Sequence, residues 1–179
     1  MKKKDFVVVR YGHRDVRDYR VTSHCALVSR AFGASKMIVC ESRDEIAENT
    51  IKGVNENWGG NFKVEFIQDW REVVLKLKKS GYKIVHLTMY GMQVQEVEKK
   101  LIKLNKIAII VGSQKVEKEV YELADYNVSV TNQPHSEIAA LAVFLDRVQQ
   151  GKELDKKFLK SKLKIIPQEK GKKVINTKK

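Results

Sequence analysis

Between Arg10 and His24 the chain reads RYGHRDVRDYRVTSH, with four arginines, two histidines and two aspartates directly after the apolar run FVVV at 6–9. A guanidinium stays charged at any physiological pH and grips a phosphate or carboxylate with parallel donors. An imidazole changes charge near neutrality. Such a cluster suits holding a polyanion and stabilising a developing oxyanion. Asp15 and Asp18 are placed to orient their neighbours through ion pairs. A solvated basic turn is the plain alternative. Departure straight from a buried strand favours a substrate platform, because ligands of open α/β sheets bind outside the carboxyl ends of the strands.

Three further stretches share that address. HLTMYG (86–91), IIVGSQKV (109–116) and VTNQPHSEIAALAVFLDR (130–147) each end an apolar run. Polar, glycine-bearing strand ends side by side predict a cofactor pocket built from loop backbone, with Gly112 allowing close approach. In NQPHSE, Pro134 fixes the backbone and Ser136 is a good helix N-cap, followed by an apolar face of Ile138, Leu141, Ala142 and Leu145. For His135 and Ser136 taken singly, capping outweighs chemistry. The sequence contains no GxGxxG or GxxxxGK[ST] loop, no His/Cys cluster with metal spacing and no GxSxG elbow, so the standard nucleotide, metal and serine-hydrolase signatures are absent. No metal is expected.

The elements that must position these residues are legible from periodicity. Strand-length apolar runs recur at 6–9, 36–40, 62–66, 83–87, 107–111 and 126–130. Helical patterns fall at 22–32, 43–58, 69–80, 93–104, 116–125 and 136–150. Alternation of this kind predicts an α/β fold with a parallel six-stranded sheet and helices on both faces. Beyond Gly151 the composition changes: the last 29 residues carry eleven lysines against three acids, and LKIIPQ, EKGK and KVIN read as a β-hairpin. We therefore divide the chain into a core domain, 1–150, and a lysine-rich hairpin extension, 151–179. Edge lysines deter aggregation; a polyanion contact is the functional alternative.

With 35 basic and 22 acidic residues, the 179-residue chain has a net charge of +13. That favours nucleic acid or an anionic surface, against a lysine-rich solvated exterior. Cys25 and Cys40 are expected to be reduced core residues. No apolar run approaches a membrane span, and a cytoplasmic location without a membrane partner is expected.

Taken together, IIVGSQKV and NQPHSEIAALA resemble the second and third motifs of the 2'-O-ribose branch of the SPOUT superfamily of RNA methyltransferases. GHRDVRDYRVTSHCALVSRAFGA, HLTMYG, ELADYNVSVTNQPHSEIAALAVFLDR and IIPQEKGKKV extend the likeness, in blocks over nearly the whole chain, to the archaeal family of tRNA 2'-O-methyltransferases acting on cytidine 56. The resemblance implies a deep trefoil knot, a homodimer, a tRNA partner and S-adenosyl-L-methionine as cofactor. It places the cofactor on Leu87, on Val111, Gly112, Ser113, Gln114 and Lys115, and on Asn132, Gln133, Pro134, His135 and Ser136. The branch's first motif departs here: Thr22 and Leu27 occupy the places of its usual asparagine and arginine. Arg20 is then the expected catalytic arginine, with Arg14 and Arg17 as alternatives. Arg17, His13, Lys164, Lys170 and Lys172 are expected on RNA, within a basic surface running over 152–164 and 170–173. His24 is expected to cap or pack at the helix start. Two rival readings stay open: a non-catalytic RNA-binding module with a vestigial pocket, and a small-molecule methyltransferase, which the charge disfavours.

Overall fold

The computed structural model describes residues 4–12, 20–113 and 115–177. His13, Arg14, Arg17 and Gln114 lie outside them.

Burial on both faces forces the central strand. In β1 (Asp5–Tyr11) every residue from Phe6 onward is buried, as expected of a strand between helical layers. β2 (Lys36–Cys40), β3 (Lys63–Ile67), β4 (Lys83–Gln93), β5 (Lys106–Gly112) and β6 (Tyr126–Ser129) complete a six-stranded sheet in the order β3-β2-β1-β5-β4-β6. All its pairings are parallel.

Five helices fill the crossovers, α1 (Val21–Ala31), α2 (Glu45–Trp58), α3 (Trp70–Lys79), α4 (Val94–Leu101) and α5 (Lys118–Leu123), and α6 (Glu137–Gln149) follows the last strand. Successive strand residues point to opposite faces. Phe6 and Val8 therefore meet Cys25 of α1, Ile51 of α2, Val97 of α4 and Leu141 of α6. Val7 and Val9 meet Trp70 and Val73 of α3 and Val120 of α5. Helix starts are held by side-chain caps: Asp44 accepts from the Ala47 amide at 2.9 Å and Asp69 from the Arg71 amide at 2.8 Å. Both cysteines are free and buried, and burial pushes their thiols up, Cys25 to about 11 and Cys40 to about 12.

β4 is interrupted. Leu87 and Met92 both stand opposite Val128 of β6, so residues 88–91 bulge out of the ladder. The return segment after β6 packs on this bulge. The Asn132 amide donates to the carbonyls of Met89 (2.7 Å) and Gly91 (3.2 Å) and to Ser129 Oγ (3.1 Å). Gly91 sits so close to the Asn127–Val128 backbone that a Cβ there would lie 2.5 Å from it.

After a 3₁₀ turn at Lys152–Asp155, the chain forms an antiparallel pair, β7 (Leu163–Ile166) and β8 (Lys173–Asn176), as a sheet of its own. It is tied back at the end of α2. The Gly60 amide donates to Leu159 O and the Lys162 amide to Asn57 O, both at 2.9 Å. At Gly59 (φ +79°) a Cβ would lie 2.4 Å from Leu159 O, so the docking requires glycine. The predicted hairpin is therefore present, and the predicted strands and helices agree with the observed ones within a few residues. The exceptions are β4, which continues past its bulge to Gln93, and the Lys152–Asp155 turn, which periodicity did not signal.

Candidate functional site

Parallel strands gather their carboxyl ends on one side. There a cavity of about 550 Å³ opens between 86–90, the residues Gly112, Ser113, Lys115 and Val116, and the segment from Val128 to Glu137, within the size range of small-molecule sites. Leu87, Met89, Val128, Val130 and Ala140 give it apolar walls. Gly112 and Pro134 contribute backbone, and Thr88, Ser113, Tyr121 and Glu137 supply polar groups.

The polar groups are braced. Glu137 opens α6 behind the Ser136 cap, whose Oγ accepts from the Ile138 amide at 3.2 Å. Its carboxylate meets Arg10, which is the last but one residue of β1 and is fully buried. Arg10 donates to Glu137 Oε1 and to Gly112 O, both at 3.2 Å. One guanidinium thus joins the loop after β5 to the start of α6. A buried arginine needs such partners, because an uncompensated charge in the interior is strongly destabilising.

His86 is buried with its Nδ1 2.9 Å from Asn127 Oδ1. Asn127 spends its amide on Tyr121 O at 2.9 Å, so its Oδ1 accepts and His86 carries the proton on Nδ1. Burial holds the imidazole below the ordinary histidine value, so it is neutral at pH 7. Its Nε2 is left as an acceptor, without a partner among the described residues. The His86 ring packs edge-on against Tyr121 at 4.6 Å, and Tyr121 reaches Thr88 Oγ1 at 3.3 Å.

Of the residues expected on the cofactor, Leu87, Gly112, Ser113, Lys115, Pro134 and His135 line this cavity. Four are not among its lining residues. Val111 is core, Ser136 is the cap of α6, Asn132 ties the segment after β6 to the bulge, and Gln133 is exposed. Arg20 is exposed at the N-cap of α1, outside the cavity lining. His24 is exposed on α1 without a side-chain capping bond. Thr22 is buried and Leu27 packs on the core, so neither presents a cation to the cavity. Lys164, Lys170 and Lys172 are exposed on the hairpin and its turn. Sequence reasoning missed Arg10, His86 and Glu137. Glu137 could have been found, since an acid one place after a cap opens a helix at the pocket. Among the described residues there is no His/Cys/Asp/Glu cluster able to hold a metal, and no helix long and apolar enough to cross a membrane.

This doubly covered parallel sheet is shared with SpoU/TrmH methyltransferases of known structure. The A. aeolicus TrmH/SpoU tRNA modifying enzyme superposes with a TM-score of 0.62 over 85% of this chain and 78% of that one, at 16% identity. AviRb from Streptomyces viridochromogenes, solved in complex with the cofactor AdoMet, gives 0.56 over 83% and 58%, at 14% identity. Residues 58–175 match the family described as tRNA ribose 2'-O-methyltransferase, aTrm56, and the chain belongs to that family. It is similar to the tRNA (cytidine(56)-2'-O)-methyltransferases of Nitrosopumilus maritimus (52% identical, 93% of this chain and 94% of the relative) and Methanocaldococcus jannaschii (51%, 96% and 96%). That of Pyrococcus horikoshii is 52% identical over 94% of this chain and 84% of its own length.

Proposed function

We infer that this protein methylates the ribose 2'-hydroxyl of cytidine 56 in tRNA, with S-adenosyl-L-methionine as methyl donor. The observation that carries the reading is structural: HLTMYG, IIVGSQKV and NQPHSE, the segments with the methyltransferase likeness, converge on one cavity.

The cavity suits the cofactor chemically. Leu87, Val128, Val130 and Ala140 offer apolar surface to a nucleoside, Gly112 and Ser113 at the end of β5 offer polar groups, and the Glu137 carboxylate offers a negative charge to a cationic ligand. The cofactor supplies an activated methyl group on a sulfonium. The protein's work is orientation and electrostatics. Arg10 fixes Glu137 and the Gly112 carbonyl, so the wall keeps its shape before any ligand arrives. The ribose hydroxyl must shed its proton as it attacks, and a nearby guanidinium lowers the cost of the developing oxyanion. An arginine stays protonated, so it stabilises and positions rather than acting as a base. Arg20 is our choice for that role, because it stands at the amino end of α1, on the cavity's side of the sheet; Arg14, outside the described residues, is the alternative. His13, Arg17 and the lysines Lys164, Lys170 and Lys172 are assigned to RNA phosphates.

We further propose that the chain is a homodimer working in the cytoplasm, and that the segment after β6 threads the 88–91 bulge as a trefoil knot. The Asn132 bonds to Met89 and Gly91 support the threading, which a crystallographic trace of residues 83–137 would test. Incubating the protein with labelled S-adenosyl-L-methionine and an unmodified tRNA transcript should place one 2'-O-methyl group at position 56, mapped by nuclease digestion and mass spectrometry. Cofactor binding without transfer would favour a non-catalytic tRNA-binding module instead, the reading suggested by the absence of a cation at Thr22 and Leu27.

A further inference from the structure

The sheet has a second end. Its strands are parallel, so their first residues also lie together, opposite the cofactor cavity. Lysine opens four of them, at Lys36, Lys63, Lys83 and Lys106, and Lys4 precedes a fifth, β1. Between this end and the segment following Gly151 runs a groove of about 810 Å³. Lys4, Lys36, Lys63 and Lys106 face it from the sheet, and Lys156 and Lys157 from the other wall.

The two walls are fixed to each other. Arg30 of α1 donates to Asn55 Oδ1 at 3.1 Å and to Gly59 O at 2.6 Å, and its guanidinium lies 4.1 Å from the centre of the Phe158 ring. The Gly59–Leu159 contact described above closes the same seam. Concave surfaces of one sign concentrate their field, and little inside this groove offsets the charge. Asp5 is the one acid among its described lining residues, and it accepts the Tyr82 hydroxyl. Lys36 is paired with Glu65 at 2.8 Å. Lys4 and Lys106 are held by carbonyls, Val148 O and Ser80 O, both at 3.0 Å, which orient an ammonium without neutralising it. Lys63 and Lys157 are exposed and make no ion pair among the described residues. Burial, and then the Lys152 ammonium, hold Lys4 below the usual lysine value; a bound anion would relieve this.

We propose that this groove is a second RNA-contact surface, seating backbone phosphates of the tRNA away from the modified nucleotide. The proposal rests on tRNA being the substrate. β1 alone separates the two ends by about 20 Å at strand rise, so phosphates held here lie several nucleotides from the reacting ribose on the same protomer. The groove serves affinity and orientation, and takes no part in the chemistry.

The test uses the full chain with Lys63→Glu and Lys157→Glu combined, and Lys63→Gln with Lys157→Gln as a milder pair. Binding of an unmodified tRNA transcript is titrated across salt concentration, beside methyl-transfer kinetics and cofactor affinity. The charge-reversed pair should weaken tRNA binding about tenfold or more near physiological salt, and flatten the log–log salt dependence by about two, one for each phosphate no longer neutralised. The neutral pair should fall between it and the unaltered protein. KM for tRNA should rise, while kcat at saturating tRNA and cofactor affinity stay unchanged. Unaltered tRNA affinity and salt slope in a folded, charge-reversed protein would overturn the groove, even with transfer intact. If the unaltered protein binds tRNA through the groove but transfers no methyl, the enzyme reading falls and the groove stands.

Discussion

Arg10 and Arg20 belong to one basic stretch, and the fold sends them to opposite environments. Arg10 is the last but one residue of a buried strand, has no exposure, and spends its donors on Gly112 and Glu137. Arg20 is exposed at the amino end of α1, where its charge opposes the helix dipole and is free of the packing that immobilises Arg10. Sequence alone grouped the two, because residue type and spacing carry no information about where a strand stops. The same limit hid His86, whose neutral state comes from burial, which outweighs the opposing pull of the Asn127 bond. If Arg20 stabilises the attacking oxygen, Arg20→Ala should lower kcat at least a hundredfold, on the scale of losing one oxyanion donor. Cofactor affinity, measured by calorimetry, should change little because Arg20 does not line the cavity. Near-normal turnover in that variant would move the assignment to Arg14.

At the scale of elements, alternating strands and helices were readable because buried parallel strands leave continuous apolar runs and surface helices leave a 3.6-residue period. IAIIV at 107–111 is buried throughout and lies within β5. The bulge in β4 was not readable. HLTMYG resembles a strand running into a turn, whereas the ladder resumes at Met92 because β6 and the segment after it pack across the gap. Gly91 marks the crossing. Its contact is backbone on backbone, so neither side can yield by changing a rotamer. Gly91→Ala should therefore cost about 3 kcal/mol or more, read as a lowered urea midpoint, and should weaken cofactor binding because Met89 and Tyr90 of the same bulge line the cavity. An unchanged midpoint would mean the crossing is looser than described.

For the whole molecule, the +13 charge is distributed with purpose. The hairpin extension was legible as a lysine-rich segment, but the lysines opening the strands became a surface only once the topology placed them together. Apolar groups are exposed elsewhere. Tyr90, which lines the cavity, and Met92 are 74% and 58% exposed, and Val143 on α6 is 41% exposed, beside the exposed Ala139 one helical turn earlier. We assign this surface to the dimer contact. Light scattering should give twice the 20.6 kDa of one chain, and Val143→Asp should shift the mass toward the single chain. A single-chain mass for the unaltered protein at every concentration would contradict the dimer. The central claim concerns one oxygen atom. Methyl transfer from labelled S-adenosyl-L-methionine should be compared on two unmodified tRNAs, identical except that one carries a 2'-deoxyribose at position 56. Label in the first and none in the second is the predicted result; equal label in both would contradict the assigned site.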